Sequence, residues 1–438
     1  MRSLTFVDNN DIALLQSGIA FFPALIEALD AAQHEVLFET YIFAEDETGA
    51  AVRDALARAA RRGVKVRVLV DWFGTGQRCC GRLGPILLEA GAQYRVFNPW
   101  CRRGIARSHR KIAVIDRAVA FVGGINVNDD WLCDHADGHR LPAPRWDFTV
   151  RVRGPLVAQI HHEAAGQWMR TGRLRLRKRL QLFREMRKQP IPSCESPARA
   201  AFVVRDNLRN RSTIQKAYLH ALGHARHSVL LATPDFAPGR QFRKALAHAA
   251  RRGVQVTLLI GVGEFRIQDA VAHSFYPKLL ADGIRVVEYR KTQLHAKVAV
   301  VDDDWATVGS SNCDGLSLFL NQEANVVVLD PVFAATMREH IERGIMDGKE
   351  VCPQEFAHIG WLRRATYGIA YMMYKLVMRV VTFGYTLGYW KDIWKTITSE
   401  STNGCGRRAS SRPARWPRTR WTAAGCASAA SRSSRRAR

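Results

Sequence analysis

The sequence has no uninterrupted stretch of 18 uncharged apolar residues, which is the length that a membrane-spanning helix needs. Its opening, MRSLTFVDNNDIALLQ, lacks a continuous apolar core, so we expect no secretory signal peptide. The nine cysteines form no CxxC pair and show no spacing typical of a thiolate zinc site, which favours a reduced, cytosolic compartment. The hydrophobic content of 47% is enough for buried cores, so we predict a globular protein, and we expect no metal and no cofactor.

Acidic residues are also scarce, and the formal net charge is +25. The segment 401–438 holds ten arginines but no Asp, Glu or Lys, and the segment 170–188 holds nine basic residues and one acid. The tail also lacks Val, Ile, Leu and Phe, so it cannot form a core and we expect it to be disordered. The surplus of positive charge predicts a polyanionic partner, either nucleic acid or an anionic membrane surface.

The string AARRGV occurs twice, at 59–64 and at 249–254. Each copy ends an amphipathic segment that predicts a helix, and each is followed by an apolar run, VKVRVLVDWF or VQVTLLIGV, that predicts a buried strand. Strand-like and helix-like segments alternate in the same order in both halves. We therefore predict an α/β fold of two similar domains, each a mixed β-sheet flanked by helices, packed as a pseudo-two-fold pair with the active site at their interface.

The predicted organisation has five parts. The two repeat domains are residues 1–166 and 201–350, and a basic linker, 167–200, joins them. An amphipathic segment for the membrane interface follows at 361–396, and an Arg/Ser/Ala-rich tail at 401–438.

One side-chain pattern, H-x-K-x4-D followed by an asparagine, appears once in each half. In both copies the asparagine stands 17 residues after the histidine, so the two copies are in register within the repeat. The members are His109, Lys111, Asp116 and Asn126 in the first half and His295, Lys297, Asp302 and Asn312 in the second.

Strand geometry explains the spacing within each motif. Residues two apart on a strand point to the same side, so histidine and lysine project together. An ammonium group would repel a metal cation but would attract an anion, and asparagine amides can donate hydrogen bonds to the same oxygens. Two such sets facing each other predict binding of one phosphate-sized group, with one imidazole as nucleophile and the other as general acid. The residues themselves leave open which histidine attacks.

Each imidazole needs a partner on its far nitrogen, and the sequence offers two carboxylates. Asp147 and Glu323 each stand at the start of the strand that follows a motif hairpin, so we predict that they orient the histidines. Asp116 and Asp302 belong to the motif but have the opposite strand parity, so we expect them to hold loops rather than to contact substrate.

The duplicated motifs resemble those of the phospholipase D superfamily over roughly residues 12–348. More narrowly, ETYIFAEDETG, HRKIAVIDRAVAFVGGIN and HAKVAVVDDDWATVGSSNCDGLSLFLNQEANVVV resemble bacterial cardiolipin synthases of the type without N-terminal transmembrane helices. The resemblance implies transfer of a phosphatidyl group between two phosphatidylglycerol molecules through a phosphohistidine, with release of glycerol. It also implies that His109 is the nucleophile and His295 the acid, and that Asn126, Asn312 and Ser310 bind the substrate phosphate. Gly124 stands where the superfamily often has serine.

The segment ATYGIAYMMYKLVMRVVTFGYTLGYW, 365–390, has charges in its middle and aromatic residues at both ends. This pattern predicts an amphipathic helix in the membrane interface; the alternative is a helix that packs on the protein core. We therefore expect a peripheral or monotopic protein on the cytoplasmic face of the bacterial cell membrane, with phosphatidylglycerol and an anionic membrane surface as partners, no obligate protein partner and no role for nucleic acid.

Two other functions remain compatible with the residues. With water as acceptor, the same phosphohistidine chemistry would hydrolyse a phospholipid or a nucleic acid, and a basic protein without turnover would simply bind a polyanion. The amphipathic segment argues against a nuclease, and the two intact motifs argue against a pure binding module.

Overall fold

A computed structural model describes residues 4–133, 138–172, 196–207 and 210–380. Most of the predicted linker, the predicted tail and residues 381–396 of the amphipathic segment lie outside the described residues. Within these ranges the chain forms one continuous 15-stranded sheet with helices on its faces and a small second sheet of two strands.

The strands are numbered in chain order. They are β1 Val7–Gln16, β2 Glu35–Thr40, β3 Lys65–Asp71, β4 Gln93–Phe97, β5 Arg102–Ile105, β6 Ile112–Ile115, β7 Val119–Gly123, β8 Phe148–Arg153, β9 Ala198–Arg205, β10 Ser228–Thr233, β11 Phe236–Ala237, β12 Gln255–Gly261, β13 Arg285–Tyr289, β14 Val298–Val301, β15 Trp305–Gly309, β16 Cys313–Asp314, β17 Glu323–Leu329 and β18 Lys349–Glu350.

The helices separate these strands. They are Ser17–Ala31, Glu47–Arg61, Trp72–Thr75, Gln77–Glu89, Leu156–Thr171, Thr213–His224, Arg240–Arg251, Arg266–His273, Tyr276–Ala281, Gly315–Phe319, Pro331–Met346 and Pro353–Ala357, with a 3-10 turn at Pro99–Cys101. A further helix covers 361–380.

The two AARRG segments close their helices in the same way. Gly63 and Gly253 both have φ near +89°, a left-handed conformation that glycine adopts without steric cost. Their buried neighbours Val64 and Val254 then lead into β3 and β12. The repeated string is therefore a helix stop followed by entry into a buried parallel strand.

The sheet shows the duplication directly. The first half has the strand order β4-β3-β2-β6-β7-β8-β1, and the second half has the order β13-β12-β10-β14-β15-β17-β9. The halves join where β1 pairs antiparallel with β9, through Val7 opposite Ala200 and Asn10 opposite Ala198. The predicted mixed sheet in each of two similar halves is confirmed.

The halves share a hydrophobic core. It contains strands of both halves and the helices Leu156–Thr171 and Pro331–Met346. First-half rings meet second-half rings in it: Trp146 lies 5.8 Å from Tyr289, and Phe148 lies 5.4 Å from His340, between ring centroids. Each half also has a further hydrophobic core of its own. This shared core fixes how the two motif strands face each other.

The predicted domain limits fall within described elements. Helix Leu156–Thr171 runs past the predicted end of the first domain at 166, and β9 begins at Ala198, inside the predicted linker. The side chain of Asn10 links these elements, since it donates to Ala198 O at 3.4 Å and accepts from Leu156 N at 2.8 Å.

Candidate active site

The motif residues lie at the carboxyl ends of the parallel strands. In the first half, β6 runs antiparallel to β2, with Ile112 opposite Glu39, so the segment that precedes β6 lies at the carboxyl end of β2. In the second half, β14 is related to β10 in the same way, with Val298 opposite Ala232. Both histidines therefore stand at the strand ends where α/β folds usually bind ligands.

Backbone hydrogen bonds cross between the halves at both histidines. His109 N donates to Gln322 O at 2.9 Å, and His295 N donates to Trp146 O at 3.0 Å. Gln322 and Trp146 directly precede the two candidate carboxylates. Each motif segment is thus hydrogen-bonded to the residue just before β17 or β8 of the opposite half.

Each imidazole contacts a carboxylate from the opposite half. His109 Nδ1 lies 3.1 Å from Glu323 Oε2, and His295 Nδ1 lies 2.6 Å from Asp147 Oδ2. Both carboxylates are buried, with side-chain exposures of 0% and 2%, while the histidines are 12% and 15% exposed. The contact at Nδ1 leaves Nε2 of each ring on the side away from the carboxylate, where a substrate atom can approach.

The surroundings of His109 fix its tautomer. Its Nδ1 faces two acceptors, Glu323 Oε2 and Ser310 O, both at 3.1 Å, so Nδ1 carries the hydrogen and Nε2 carries the lone pair. Burial lowers the pKa of His109, and Lys111 and Lys297 add to this effect while Glu323 opposes it. A neutral His109 with an Nε2 lone pair has the form required of a nucleophile.

Asp147 responds to burial in the opposite sense. Loss of solvent raises its pKa to about 6, and the nearby charges of Lys297, Lys111 and Arg145 oppose this rise. Lys297 thus affects Asp147 and also His109, which belong to the other half. The two motif sets occupy one electrostatic environment.

The two lysines are buried beside their histidines. Lys111 Nζ donates to His109 O at 2.8 Å, and Lys297 Nζ donates to His295 O. Their exposures are 5% and 1%, and Lys111 Nζ also lies 5.2 Å from the centroid of the Tyr41 ring. Two buried ammonium groups at one cleft make it a site for an anion.

The asparagines and Ser310 are oriented differently from one another. Asn126 Oδ1 accepts from Ile42 N at 3.3 Å, whereas Asn312 Nδ2 donates to Asp235 Oδ2 at 2.6 Å. Ser310 is fully buried behind the imidazole, where its hydroxyl donates to Glu323 and accepts from Ala324 N. The geometry therefore places Ser310 against the orienting carboxylate, and not on the side where a phosphate would bind.

The motif aspartates lie away from the imidazoles. The Asp116 carboxylate accepts from the backbone N–H groups of residues 33–35, all at 2.7 to 2.8 Å. Asp302 accepts in the same way from residues 226–228 at 2.8 to 3.0 Å. Each aspartate thus fixes the loop that enters β2 or β10, as the opposite strand parity suggests.

The two halves differ at one pair of positions. Gly124 is equivalent to Ser310, and Asp147 is equivalent to Glu323. A Cβ at residue 124 would overlap the Asp147 carboxylate, so serine cannot occupy this place while Asp147 holds His295. The glycine in the first motif is therefore matched to the shorter carboxylate beside it.

The sequence analysis did not single out several residues of the site. The Tyr41 ring packs edge-on against His109, with 4.7 Å between centroids, and Tyr41 OH accepts from Arg107 Nη1 at 3.1 Å. Asp235 is partly buried beside Asp314, and burial together with that second carboxylate raises the pKa of Asp235 to about 7. The first half has Ile42 and Asn128 at the equivalent places, so only an alignment of the two repeats could have revealed this acidic pair.

A continuous sheet of two α/β halves with paired His and Lys side chains at one cleft defines an enzyme of the phospholipase D class. The family model described as "Cardiolipin synthase, PLD-like domain" matches residues 25–135 and 218–345. Cardiolipin synthase B of Salmonella typhimurium is 39% identical over 78% of this chain and 83% of its own length, and cardiolipin synthase B of Escherichia coli is 37% identical over 76% and 80%.

The chain belongs to the cardiolipin synthase family and is a phosphatidyltransferase of the phospholipase D superfamily. Among solved structures, the phosphatidylserine synthase of Haemophilus influenzae superposes with a TM-score of 0.62 at 15% identity, and the match covers 87% of this chain and 97% of that one. At that identity the likeness establishes the fold alone.

The match between Gly124 and Asp147 can be tested by substitution. Gly124→Ala should displace the Asp147 carboxylate from His295 and lower kcat by about 100-fold, because a misplaced acid or base loses most of its catalytic benefit. Gly81→Ala is the control, since a Cβ there meets no atom within 4 Å. Lipid turnover is the measurement, with circular dichroism as the check of folding. A correctly folded Gly124→Ala protein with wild-type kcat would contradict the role of this pair.

Proposed function

We propose that this protein makes cardiolipin by transferring a phosphatidyl group from one phosphatidylglycerol to another. The single observation that carries the proposal is the pair of imidazoles at one anionic-ligand cleft, each held at Nδ1 by a buried carboxylate from the opposite half. A phosphodiester fits such a site because one ring can attack phosphorus while the other exchanges a proton.

In the first step, the Nε2 lone pair of His109 attacks phosphorus. The bond from phosphorus to the glycerol headgroup oxygen breaks, and that oxygen takes the proton from Nε2 of protonated His295. Free glycerol leaves, and the phosphatidyl group remains on His109 as a phosphohistidine. Glu323 accepts a hydrogen bond from Nδ1–H of His109 throughout and stabilises the positive charge that develops on the ring.

In the second step, a headgroup hydroxyl of another phosphatidylglycerol attacks the same phosphorus. His295 Nε2 takes the hydroxyl proton, the bond from His109 Nε2 to phosphorus breaks, and cardiolipin is released with His295 again protonated. Asp147, at 2.6 Å from Nδ1 of His295, stabilises the protonated ring before and after each cycle. Lys111 and Lys297 supply the positive charge for the phosphoryl oxygens, so this scheme needs no metal ion.

Substrate lipids must be reached from a membrane, and helix 361–380 has the surface for it. One face, formed by half-buried residues such as Tyr371 and Tyr374, packs on the second half, where Tyr371 lies 5.2 Å from the Phe275 ring. The opposite face exposes large apolar side chains: Trp361, Leu362, Ile369, Met372, Met373, Leu376, Val377 and Val380. The helix therefore packs on the second half with one face and leaves an apolar face exposed, which supports the proposed contact with the membrane interface.

An exposed apolar helix face of this size favours insertion into the headgroup region of a bilayer. Among the described residues, no helix combines the length and the apolar character that crossing a membrane requires. We propose that the protein acts at the cytoplasmic face of the membrane and that helix 361–380 holds it there. Lys375, whose ammonium lies 5.1 Å from the centroid of the Tyr371 ring, adds attraction to anionic lipid.

The products formed from one lipid test the function. Purified protein incubated with phosphatidylglycerol vesicles should yield cardiolipin and free glycerol in equal amounts, because the acceptor is a second lipid. Thin-layer chromatography and mass spectrometry measure both products. Phosphatidic acid as the main product would show that water is the acceptor. Unchanged lipid together with tight binding of DNA would contradict the enzymatic proposal.

Separate roles for the two histidines predict separate defects. His109→Ala and His295→Ala should each lower turnover of phosphatidylglycerol by at least about 1,000-fold, while His220→Ala, at an exposed position, should not. A phosphatidyl ester of p-nitrophenol needs no acid for its leaving group. With this substrate His295→Ala should release one nitrophenolate per site and retain lipid on His109, and His109→Ala should release none. Equal bursts from both variants would contradict the assignment.

The exposed face of helix 361–380 predicts a membrane-binding defect. The triple change Ile369→Ser, Met373→Ser and Leu376→Ser should weaken binding to phosphatidylglycerol vesicles by about 100-fold, because three apolar side chains no longer enter the interface. Co-sedimentation with vesicles measures this effect. The control is Leu88→Ser with Val332→Ser, which removes apolar side chains that are equally exposed elsewhere. Wild-type sedimentation of the triple variant would remove the helix from the proposal.

A further inference from the structure

Helix 361–380 is not the only place where large apolar side chains face solvent. Six others are 40% to 75% exposed and come from short segments that follow strands at one end of the sheet, which is the end that carries His109 and His295. We call them the site rim: Phe73, Trp100, Ile105, Phe265, Ile267 and Phe319.

The first-half part of the site rim follows the parallel strands β3 and β4. Phe73 comes directly after β3, and Trp100 and Ile105 come after β4. Asp71 at the end of β3 fixes this region, because its carboxylate accepts from Phe73 N at 2.9 Å and from Ser108 N at 2.8 Å. The loop that carries Phe73 is thereby tied to the residue next to the catalytic histidine.

Contacts lead from this part of the rim into the site. The Arg107 guanidinium lies 3.6 Å from the centroid of the Phe73 ring and donates to Tyr41 OH, and the Tyr41 ring packs on His109. The Trp100 ring lies 5.4 Å from the Trp72 ring. The exposed Phe73 ring is therefore separated from the imidazole by only two residues, Arg107 and Tyr41.

The second-half part of the site rim occupies the equivalent edge. Phe265 and Ile267 follow β12, and Phe319 ends the short helix after β16. Glu264, which precedes Phe265, accepts a hydrogen bond from Gln293 Nε2 at 2.7 Å. Gln293 stands two residues before His295 in the chain. Arg205 donates to Phe319 O. Apolar side chains thus stand on both sides of the cleft, supplied by the two halves.

Four exposed arginines stand in or beside the same loops: Arg78, Arg102, Arg240 and Arg266. An exposed acid beside these segments, Glu45, is paired with Arg82 at 2.8 Å. Apolar and aromatic side chains surrounded by arginine are typical of surfaces that enter an anionic lipid interface.

We propose that the site rim docks on an anionic lipid bilayer, so that the catalytic cleft opens directly onto the lipid headgroups. The inference rests on the proposed function for the identity of the lipid. It adds a second membrane contact, made by the mouth of the active site itself. Tyr374 makes the two contacts continuous, because its hydroxyl accepts from Gly315 N at 2.8 Å and so joins helix 361–380 to the loop that follows Asn312.

A bilayer fits the site rim better than a nucleic acid does. Aromatic faces can stack with bases, but Ile267, the most exposed rim residue at 75%, and Ile105 have no ring, so stacking does not account for the whole rim. Six apolar side chains from four separate segments around one cleft match a surface that is broad and apolar below its headgroups. Helix 361–380 presents its apolar face next to them.

The test uses the full-length chain with His109→Ala, so that lipid is bound without turnover. In this background, Trp100→Ser, Ile105→Ser and Ile267→Ser together should weaken co-sedimentation with phosphatidylglycerol vesicles at least about 10-fold, with helix 361–380 intact. Leu88→Ser with Val332→Ser, at the opposite edge of the sheet, is the matched control and should bind like the parent. Circular dichroism and thermal unfolding confirm that all proteins fold.

The outcomes separate the possible partners of the rim. Wild-type vesicle binding by the folded rim variant overturns the proposal. Vesicle binding that is unchanged while binding of a DNA oligonucleotide is lost would assign the rim to nucleic acid. A change in oligomeric state by analytical ultracentrifugation with unchanged vesicle binding would assign it to a second copy of the chain. Because none of these readouts needs catalysis, failure of the proposed transferase activity would be seen separately, in the lipid products.

Discussion

The structure of the active site depends on two carboxylates that cross between the halves. Asp147 and Glu323 are buried almost completely, which is costly for a carboxylate unless opposite charge and hydrogen-bond donors surround it. The donors that each one finds include an imidazole of the other half, and Lys297 lies close enough to affect Asp147. Neither half can therefore form its part of the site alone. The antiparallel β1 and β9 pair and the shared core hold the halves in the register that this exchange requires.

Identical motifs do not produce identical environments. His109 faces Glu323 and the Ser310 carbonyl, and the Ser310 hydroxyl holds that carboxylate from behind. His295 faces the shorter Asp147, and glycine replaces serine because the carboxylate occupies the space. The neighbouring carboxyls of Asp235 and Asp314 occur in the second half only, where the first half has Ile42 and Asn128. Burial lowers the pKa of His109 and so favours its neutral form, which is the form required of a nucleophile.

The sequence predicts those features that depend on local periodicity and on the repeat. Paired strands, the glycine helix stops and the matching positions of the two H-x-K-x4-D motifs follow from residue order alone. The strand parity of Asp116 and Asp302 agrees with the loops that they fix. The sequence could not show which carboxylate serves which histidine, because that depends on how the halves pack. It also could not bring Tyr41 onto His109, since this contact joins residues far apart in the chain. Nor does composition reveal the site rim, whose members come from four segments that are far apart in the chain.

The same geometry bears on why a lipid, rather than water, should receive the phosphatidyl group. A phosphohistidine reacts with whichever hydroxyl reaches it first, so the acceptor must be concentrated and water must be scarce. If the site rim docks on a bilayer as we propose, the cleft draws the donor and the acceptor from one surface, where lipid headgroups are crowded. Water would then have to enter past Trp100 and Ile105 on one side and Ile267 and Phe319 on the other. On this argument the choice between transfer and hydrolysis lies in the rim, because the two histidines could serve either acceptor equally well.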